Sequence, residues 1–417
     1  MMMAYIFIES LRPLHLCAFA LKRFVMKILY IASGIRVPGA FGGAIHTSEV
    51  ARGLAARGVE LHVVVRPPSG RRAWPLSLRP LSRDGITWYQ LDLPKAAALL
   101  AYPLIARLIR RLRPDAVMER YYNLAGSGVL AAHRAGIPAL LEVNALIVDP
   151  PEVRKRRLDD RLGRLLPGGR ERGGPLRRWA VWQCRHSARI ITPLHTTVPP
   201  EVERGRIVEL PWGANVGAFT PAPAERPPAL VFLGSFRHWH GVTDFVRAAG
   251  LLIEQGFPGR FVLVGDGPER AEAERLAAPY ANRFTWAGAV EHGQVPGWLA
   301  QATVGVAPFN PARHPALQAA GFFWSPLKIY EYMAAGLPVV TARIPPLDTV
   351  VREGQEGALF QPGDIADLAR AMRQVAESPE RAAMGRRARE RVVAYYSWAA
   401  HCADLERILH SMITERV

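Results

Sequence analysis

The chain has 417 residues, 49% hydrophobic and 21% charged, a balance that fits a globular protein with more than one core and excludes a disordered polymer. Its three cysteines, Cys17, Cys184 and Cys402, are far apart in sequence, which excludes a cysteine metal cluster or disulfide framework and points to a reducing compartment. The formal net charge of +17 admits nucleic acid, an anionic membrane or phosphorylated substrates, but no nucleic-acid module accompanies the charge, so nucleic acid is set aside.

Residues 1–25 are apolar but broken by Glu9, Arg12 and His15. They suit neither a membrane span nor a signal peptide, and read as an extension ahead of a start at Met26, or as a weak membrane-surface anchor. From there, short apolar runs predict strands at 27–33, 59–65, 86–92, 115–120, 138–143, 188–192 and 206–210. A second set falls at 229–234, 260–265, 283–288, 303–308, 338–342 and 357–360. Helical patterns at 44–57, 97–113, 242–255, 364–376 and 400–415 lie between or after them. Such alternation predicts parallel sheets covered on both faces. The Pro-, Gly- and Ala-rich stretch 211–228 separates the two sets. The expected organisation is therefore an N-terminal domain over 26–212, a linker over 213–228, a C-terminal domain over 229–395 and a closing helical segment over 396–417. Two doubly wound domains of this kind place ligands beyond the carboxyl ends of their strands, facing one another across a cleft.

Residues 152–189 depart from the pattern. They carry twelve Arg or Lys against four Asp or Glu, with glycine pairs at 168–169 and 173–174. Such a segment is either a solvated insertion or a basic face for an anionic membrane or a lipid-diphosphate acceptor. Trp179, Trp182 and His186 recur at helical spacing and read as a packed stripe.

The segment "SPLKIYEYMAAGLPVV" over 325–340 carries the sharpest chemical signal. Ser325 suits an N-cap, Pro326 the first helical position, and Gly336 with Pro338 a stop. Lys328 then falls in the first turn, where the helix dipole disfavours a cation unless an anion binds there too. Glu331, three residues on, can accept hydrogen bonds from sugar hydroxyls. The pair suggests a nucleotide, with diphosphate and ribose adjacent; taken alone it is equally a local ion pair on a surface helix. Three strand-to-helix loops join it. "IASGIRVPGAFGGAIHTSE" (31–49) offers Gly42 and Gly43 for close backbone approach. "LVFLGSFRHWHG" (230–241) delivers Ser235, Arg237 and His240, Arg237 being able to clamp phosphate oxygens. "FVLVGDGPE" (261–269) brings Gly265, Asp266 and Gly267. On the N-terminal side, Glu119, Arg120, Glu142 and Asn144 end the strands within "VMERYYN" and "LEVNA" and are candidates for the acceptor wall of the cleft, or for simple pairing with one another.

In this order the segments "FGGAIHTSEVARGLAARGVELHVV", "LPWGANVGAFTP", "LVGDGPE" and "SPLKIYEYMAAGLPVV" resemble the family-4 glycosyltransferases of the GT-B fold, over nearly all of 26–410. The resemblance implies two Rossmann-like domains and transfer of a sugar from a nucleoside-diphosphate sugar without a metal or other cofactor. It further implies retention of anomeric configuration and a glycan or lipid-linked acceptor of the cell envelope or a polysaccharide. Cytoplasmic placement, peripheral on the inner face of the membrane, goes with that reading. Gly42 and Gly43 match the loop facing the donor phosphates; Ser325, Leu327 and Lys328 match the turn that meets the diphosphate. Gly265, Asp266 and Gly267 match the turn near the nucleotide, and Glu331 matches the second glutamate of the E-x7-E element, which holds the ribose. Lys328, Arg237 and Glu331 are thus the expected catalytic set. Two positions depart from the pattern: the first glutamate of E-x7-E falls at Phe323, and the Arg…Lys pair after the strand of the 230s falls at Ser235 and His240. Rival readings are a catalytically inactive nucleotide-sugar binder and a phosphorylase or epimerase on the same fold.

Overall fold

The computed structural model describes residues 25–39, 42–68, 78–150, 153–165, 173–221 and 227–415. The reading of 1–25 as an extension or anchor falls, but for Val25, outside them. Two sheets form. The first contains β1 (Lys27–Arg36), β2 (Glu60–Arg66), β3 (Arg79–Arg83), β4 (Ile86–Gln90), β5 (Ala116–Arg120), β6 (Ala139–Glu142), β7 (Arg189–Thr192) and β8 (Ile207–Glu209), in the order β3-β4-β2-β1-β5-β6-β7-β8. The second contains β9 (Ala229–Leu233), β10 (Arg260–Val264), β11 (Phe284–Gly288), β12 (Val304–Ala307), β13 (Val339–Ala342) and β14 (Gly357–Phe360), in the order β11-β10-β9-β12-β13-β14. Every pairing is parallel except β3 with β4. This is the doubly wound, two-domain architecture that the sequence pattern predicts, and the GT-B arrangement that the resemblance implies.

Helices of eight or more residues are numbered here in chain order. Those before the linker are α1 (Gly42–Ala56), α2 (Tyr102–Leu112), α3 (Ser127–Ala135), α4 (Arg154–Arg164) and α5 (Pro175–Arg185). After it come α6 (Val242–Glu254), α7 (Arg270–Ala277), α8 (Leu327–Ala334), α9 (Ile365–Ala376), α10 (Arg381–Tyr395) and α11 (Trp398–Thr414). The strand period of two explains how β1, apolar and buried over 28–32, serves two faces at once. Leu29 and Ile31 pack into a core with α2, α3 and α5, while Ile28 and Tyr30 face a second core formed with α1 and α11.

β3 is absent from the sequence-based expectation. Its five residues, Arg79–Arg83, are all exposed, so no apolar alternation marks it. The Asp84-Gly85 pair does mark its turn: both residues have positive φ (56° and 72°), the two-residue hairpin geometry.

The chain passes between the domains twice, at one place. Ala214 N–H donates to Tyr396 O (2.8 Å), and Trp398 N–H donates to Ala214 O (3.2 Å). α11 then packs on α1. Gly53 is needed there, since a Cβ on it would lie 2.3 Å from Cys402 Sγ. Leu405, Leu409 and Met412 join the first domain's core. Among the described residues no helix is long and apolar enough to cross a membrane.

Candidate functional site

A cavity of about 1410 Å³ lies between the domains. That exceeds the roughly 300–1,000 Å³ typical of a single small-molecule pocket, so it has room for two substrates together. One wall comes from α1 (Ile45, Ser48, Glu49, Arg52) with Pro38 and Gly39 before it; the other comes from the carboxyl ends of β9 and β10 and from α8.

α8 and the turn before it bring most of the expected donor-side residues to the cavity. Ser325, Pro326, Leu327, Lys328 and Glu331 all line the cavity, so the positive end of the helix dipole faces it. The cap differs from expectation: Pro326, not Ser325, occupies the N-cap position, and it offers no side-chain bond. Ser325 is otherwise engaged, its Oγ accepting from the Trp212 N–H at 2.9 Å. Gly336 ends the helix in the left-handed region (φ 69°), as expected.

Lys328 is 8% exposed, and its Nζ has no hydrogen-bond partner among the described residues. The amine sits over the rings of Phe232 (4.2 Å) and Phe309 (5.0 Å). Burial pulls its pKa down to about 7, with the Glu331 carboxylate opposing the shift. An unpaired buried ammonium is costly, and an arriving anion would satisfy it. Gly234 leaves it space, since a Cβ there would lie 3.2 Å from Nζ.

The rest of the wall is built by tight turns. His240 Nδ1 donates to Ser235 O at 2.7 Å, and burial, reinforced by Lys328, lowers its pKa to about 3. The imidazole is therefore neutral at pH 7. Gly265 (φ 138°) follows β10 so closely packed that a Cβ would lie 2.0 Å from Gly234 O. Gly265→Ala is expected to lower stability by more than about 1 kcal/mol, read as a fall in Tm; an unchanged Tm would show that this turn yields freely. Asp266 lines the cavity, whereas Gly267 stands behind it and packs on the Phe236 backbone.

Arg237 is not brought to the cavity. It is exposed, with its guanidinium over the Trp239 ring at 5.4 Å. Gly42 and Gly43 open α1, but the cavity is lined by Gly39 before them and by Ile45 after. Phe323 is buried beside Trp324, and its neighbours Phe322 and Trp324 form an aromatic wall.

Three of the four candidates from the first domain, Arg120, Glu142 and Asn144, form a layer behind the cavity. Glu142 accepts from Tyr30 Oη (2.7 Å), Asn144 Nδ2 (2.7 Å) and Arg120 Nη1 (3.4 Å). Arg120 Nη1 also donates to His46 Nδ1 at 2.8 Å. The His46 pKa is held well below its usual value, first by burial, then by Arg120 and His401. Its Nε2 lies 3.0 Å from Glu142 Oε1 without hydrogen-bond alignment. Asn144 Oδ1 accepts from Trp212 Nε1 at 2.7 Å, so this layer reaches Ser325 through one tryptophan. Glu119 is elsewhere. It caps α3, accepting from the Gly126 and Val129 N–H groups (2.8 and 2.7 Å), and burial raises its pKa to about 7.

Sequence reasoning missed several lining residues. His292 Nε2 lies 3.0 Å from Glu331 Oε1, and this bond raises the His292 pKa. Its position just past the end of β11 was the available signal. Glu49 and Arg52 share the cavity face of α1 with Ile45, opposite the buried Val50, Ala51 and Leu54. Among the described residues no group of three or more His, Cys, Asp or Glu is arranged to hold a metal.

Comparison with known proteins agrees with this geometry. Residues 41–198 match the family model "Glycosyl transferase 4-like domain", and 227–378 match "Glycosyl transferases group 1". The 2-deoxystreptamine glucosyltransferase of Streptomyces kanamyceticus is 27% identical over 318 residues, 74% of this chain and 70% of that protein. The D-inositol 3-phosphate glycosyltransferase of Acidothermus cellulolyticus is 26% identical over 409 residues, 87% of this chain and 85% of that one. Among solved structures, a glycosyltransferase from Rickettsia africae superposes with a TM-score of 0.67 at 15% identity, covering 94% of this chain and 99% of the other. Anabaena HepE in complex with UDP and glucose superposes with a TM-score of 0.63 at 16% identity, over 93% and 100%.

Proposed function

We propose a reaction course for this chain, which belongs to the group 1, family-4-type glycosyltransferases of GT-B fold. As such an enzyme it moves a sugar from a nucleoside-diphosphate sugar to an acceptor. The proposal is that transfer retains anomeric configuration and that the acceptor is a glycan, free or lipid-linked, of the cell envelope or a polysaccharide. The observation that carries the donor side is the unpartnered Lys328 amine at the cavity-facing end of α8.

In this reading the donor diphosphate lies against Ser325, Leu327 and Lys328, with the ribose hydroxyls on Glu331 in place of His292. The bond from the anomeric carbon to the β-phosphate oxygen breaks as negative charge gathers on that oxygen. Lys328 and the helix dipole stabilise the charge where it develops. The acceptor hydroxyl attacks from the same face, its oxygen bonds to the anomeric carbon, and its proton passes to the departing phosphate. Burial between the two domains keeps water from the donor. Arg237 would join this set only by leaving Trp239.

A panel of UDP-, GDP- and ADP-sugars tests the donor, first by thermal shift and then by consumption with glycan acceptors. Anomeric proton couplings in the product read the stereochemistry, and an inverted product would end the retaining proposal. Binding without consumption across the acceptor panel would instead favour the inactive binder. Glu331→Ala is expected to raise the donor KM by roughly ten- to a hundredfold, the worth of hydrogen bonds to a charged group. An unchanged KM would remove Glu331 from the ribose.

A further inference from the structure

The order of strands in the second sheet sets the order of the donor along the cavity. Glu331, the proposed ribose partner, is held by His292, which follows β11 at the edge of the sheet. Lys328 stands at the end of β9, its amine over Phe232 and beside Gly234. β12 lies on the far side of β9 from β10 and β11. A nucleoside over β11 and β10, with its diphosphate over β9, therefore directs the sugar toward β12. The side chains change character along the same line. Among the described residues, three carboxylates of the second domain line the cavity: Asp266 after β10, Glu291 after β11, and Glu331 against His292. All three stand at the nucleoside end. Past β12 the lining is aromatic. The Phe309 ring meets His240 at 5.6 Å and Phe322 at 4.7 Å, and Phe322 meets Trp324 at 6.4 Å; all four line the cavity. Phe323, at the position of the missing first glutamate, is turned into the core. Besides Lys328, the polar side chains nearest this wall are Ser235, His240 and Ser325. Ser325 Oγ accepts from the Trp212 N–H, and His240 gives its Nδ1 proton to Ser235 O, so that Nε2 can only accept.

We infer that the transferred sugar is a deoxyhexose, with a hydrogen or a methyl group in place of a hydroxyl where it meets Phe309, Phe322 and Trp324. The inference rests on the donor reading above and adds to it the class of sugar. A hydroxyl pressed against these rings would give up its water without gaining a partner. C–H and methyl groups pack on the ring faces at no such cost. A fully hydroxylated hexose calls for acceptors that hold its hydroxyls, and the second domain places its carboxylates at the nucleoside end instead. His240 Nε2 provides for one hydroxyl that remains.

Paired donors on one nucleotide test it. Thermal shift with UDP, GDP and ADP first identifies the nucleotide that stabilises the full chain. Glucose, galactose and mannose donors on that nucleotide are then compared by calorimetry with their 3-, 4- and 6-deoxy counterparts. At least one deoxy donor is expected to bind about ten- to a hundredfold more tightly than its parent, the discrimination an apolar pocket makes against one added hydroxyl. Phe322→Gln, which sets an amide on the wall, should bring that ratio down to about one. Parents that bind as well as every deoxy counterpart overturn the inference and leave the donor reading standing. So does a Phe322→Gln ratio equal to that of the wild type. If Phe322→Gln does not fold, seen as a lost melting transition, the wild-type ratios decide alone. Absence of any stabilisation by all three nucleoside diphosphates would overturn the donor reading itself, and the inference with it.

Discussion

Lys328→Met lowers kcat by about 10²–10³-fold, the expected cost of removing one preorganised donor from a developing oxyanion. The same change leaves the protein at least as stable as before. The amine is buried among Phe232, Phe309 and the β9 turn with no hydrogen-bond partner among the described residues, so the charge is a burden on the fold rather than a support. A methionine of similar length removes that burden, and the opposed signs distinguish a site residue from a structural one. pH supplies an independent test. Burial depresses the Lys328 pKa to about 7, against an ordinary value of 10.5. Between those values the unfolded chain holds a proton that the folded chain has lost. This group therefore makes stability rise with pH from about 7 to 10.5, a slope that Lys328→Met removes. Donor binding runs the other way. The phosphodiester charges of a nucleotide sugar persist across this range and draw the proton back onto the amine. Affinity should fall by up to about tenfold per pH unit above 7, with uptake of up to one proton on binding, measurable by calorimetry in buffers of different ionisation enthalpy. A donor affinity flat from pH 7 to 9 would mean that the amine does not meet the diphosphate.

Why the sequence reveals Lys328 but not its neighbours is a matter of how local each signal is. A lysine in a first turn contradicts the dipole of its own helix, and that conflict is visible within a few residues. The parallel strands are legible for a related reason: burial on both faces leaves short apolar runs, as at 28–32 in β1, 63–65 in β2 and all of β9. β3 lies at an edge with every side chain exposed and carries no such mark. Ser325 shows where local rules stop. It has every attribute of an N-cap, yet its oxygen is taken by Trp212, 113 residues earlier in the chain. Glu119 and Glu142 both end neighbouring strands, and sequence alone cannot say that one turns to cap α3 while the other turns to Arg120. His292 reaches Glu331 across 39 residues, a pairing set by the order of strands in the sheet.

The largest expected loss of stability lies in that buried layer. Arg120 and Glu142 are 6% and 2% exposed, and Glu142 is the one acceptor that meets Arg120, Tyr30 and Asn144 together. Glu142→Ala leaves the guanidinium in the interior beside the neutral His46 and the Trp212 ring, with no carboxylate to balance it. Stranding a buried charge in this way costs about 3–5 kcal/mol, a fall in Tm on the order of 10 °C. Removing both charges together, with Glu142→Leu and Arg120→Met, should restore most of that loss, because the pair is costly to desolvate and apolar groups of similar volume fill the same space. Urea denaturation of the single and double variants reads the coupling directly; additive losses would show that the two side chains do not depend on one another. The consequence extends to the cavity. Asn144 holds Trp212, and the Trp212 N–H holds Ser325 at the mouth of α8. In Glu142→Ala, Asn144 loses the carboxylate that orients its amide toward Trp212 and the end of α8 loses its fixed position, so the donor KM should rise even below the melting range. A stable double variant with a normal KM would confine this layer to folding; a stable double variant with a raised KM would make it the support on which the phosphate end of α8 rests.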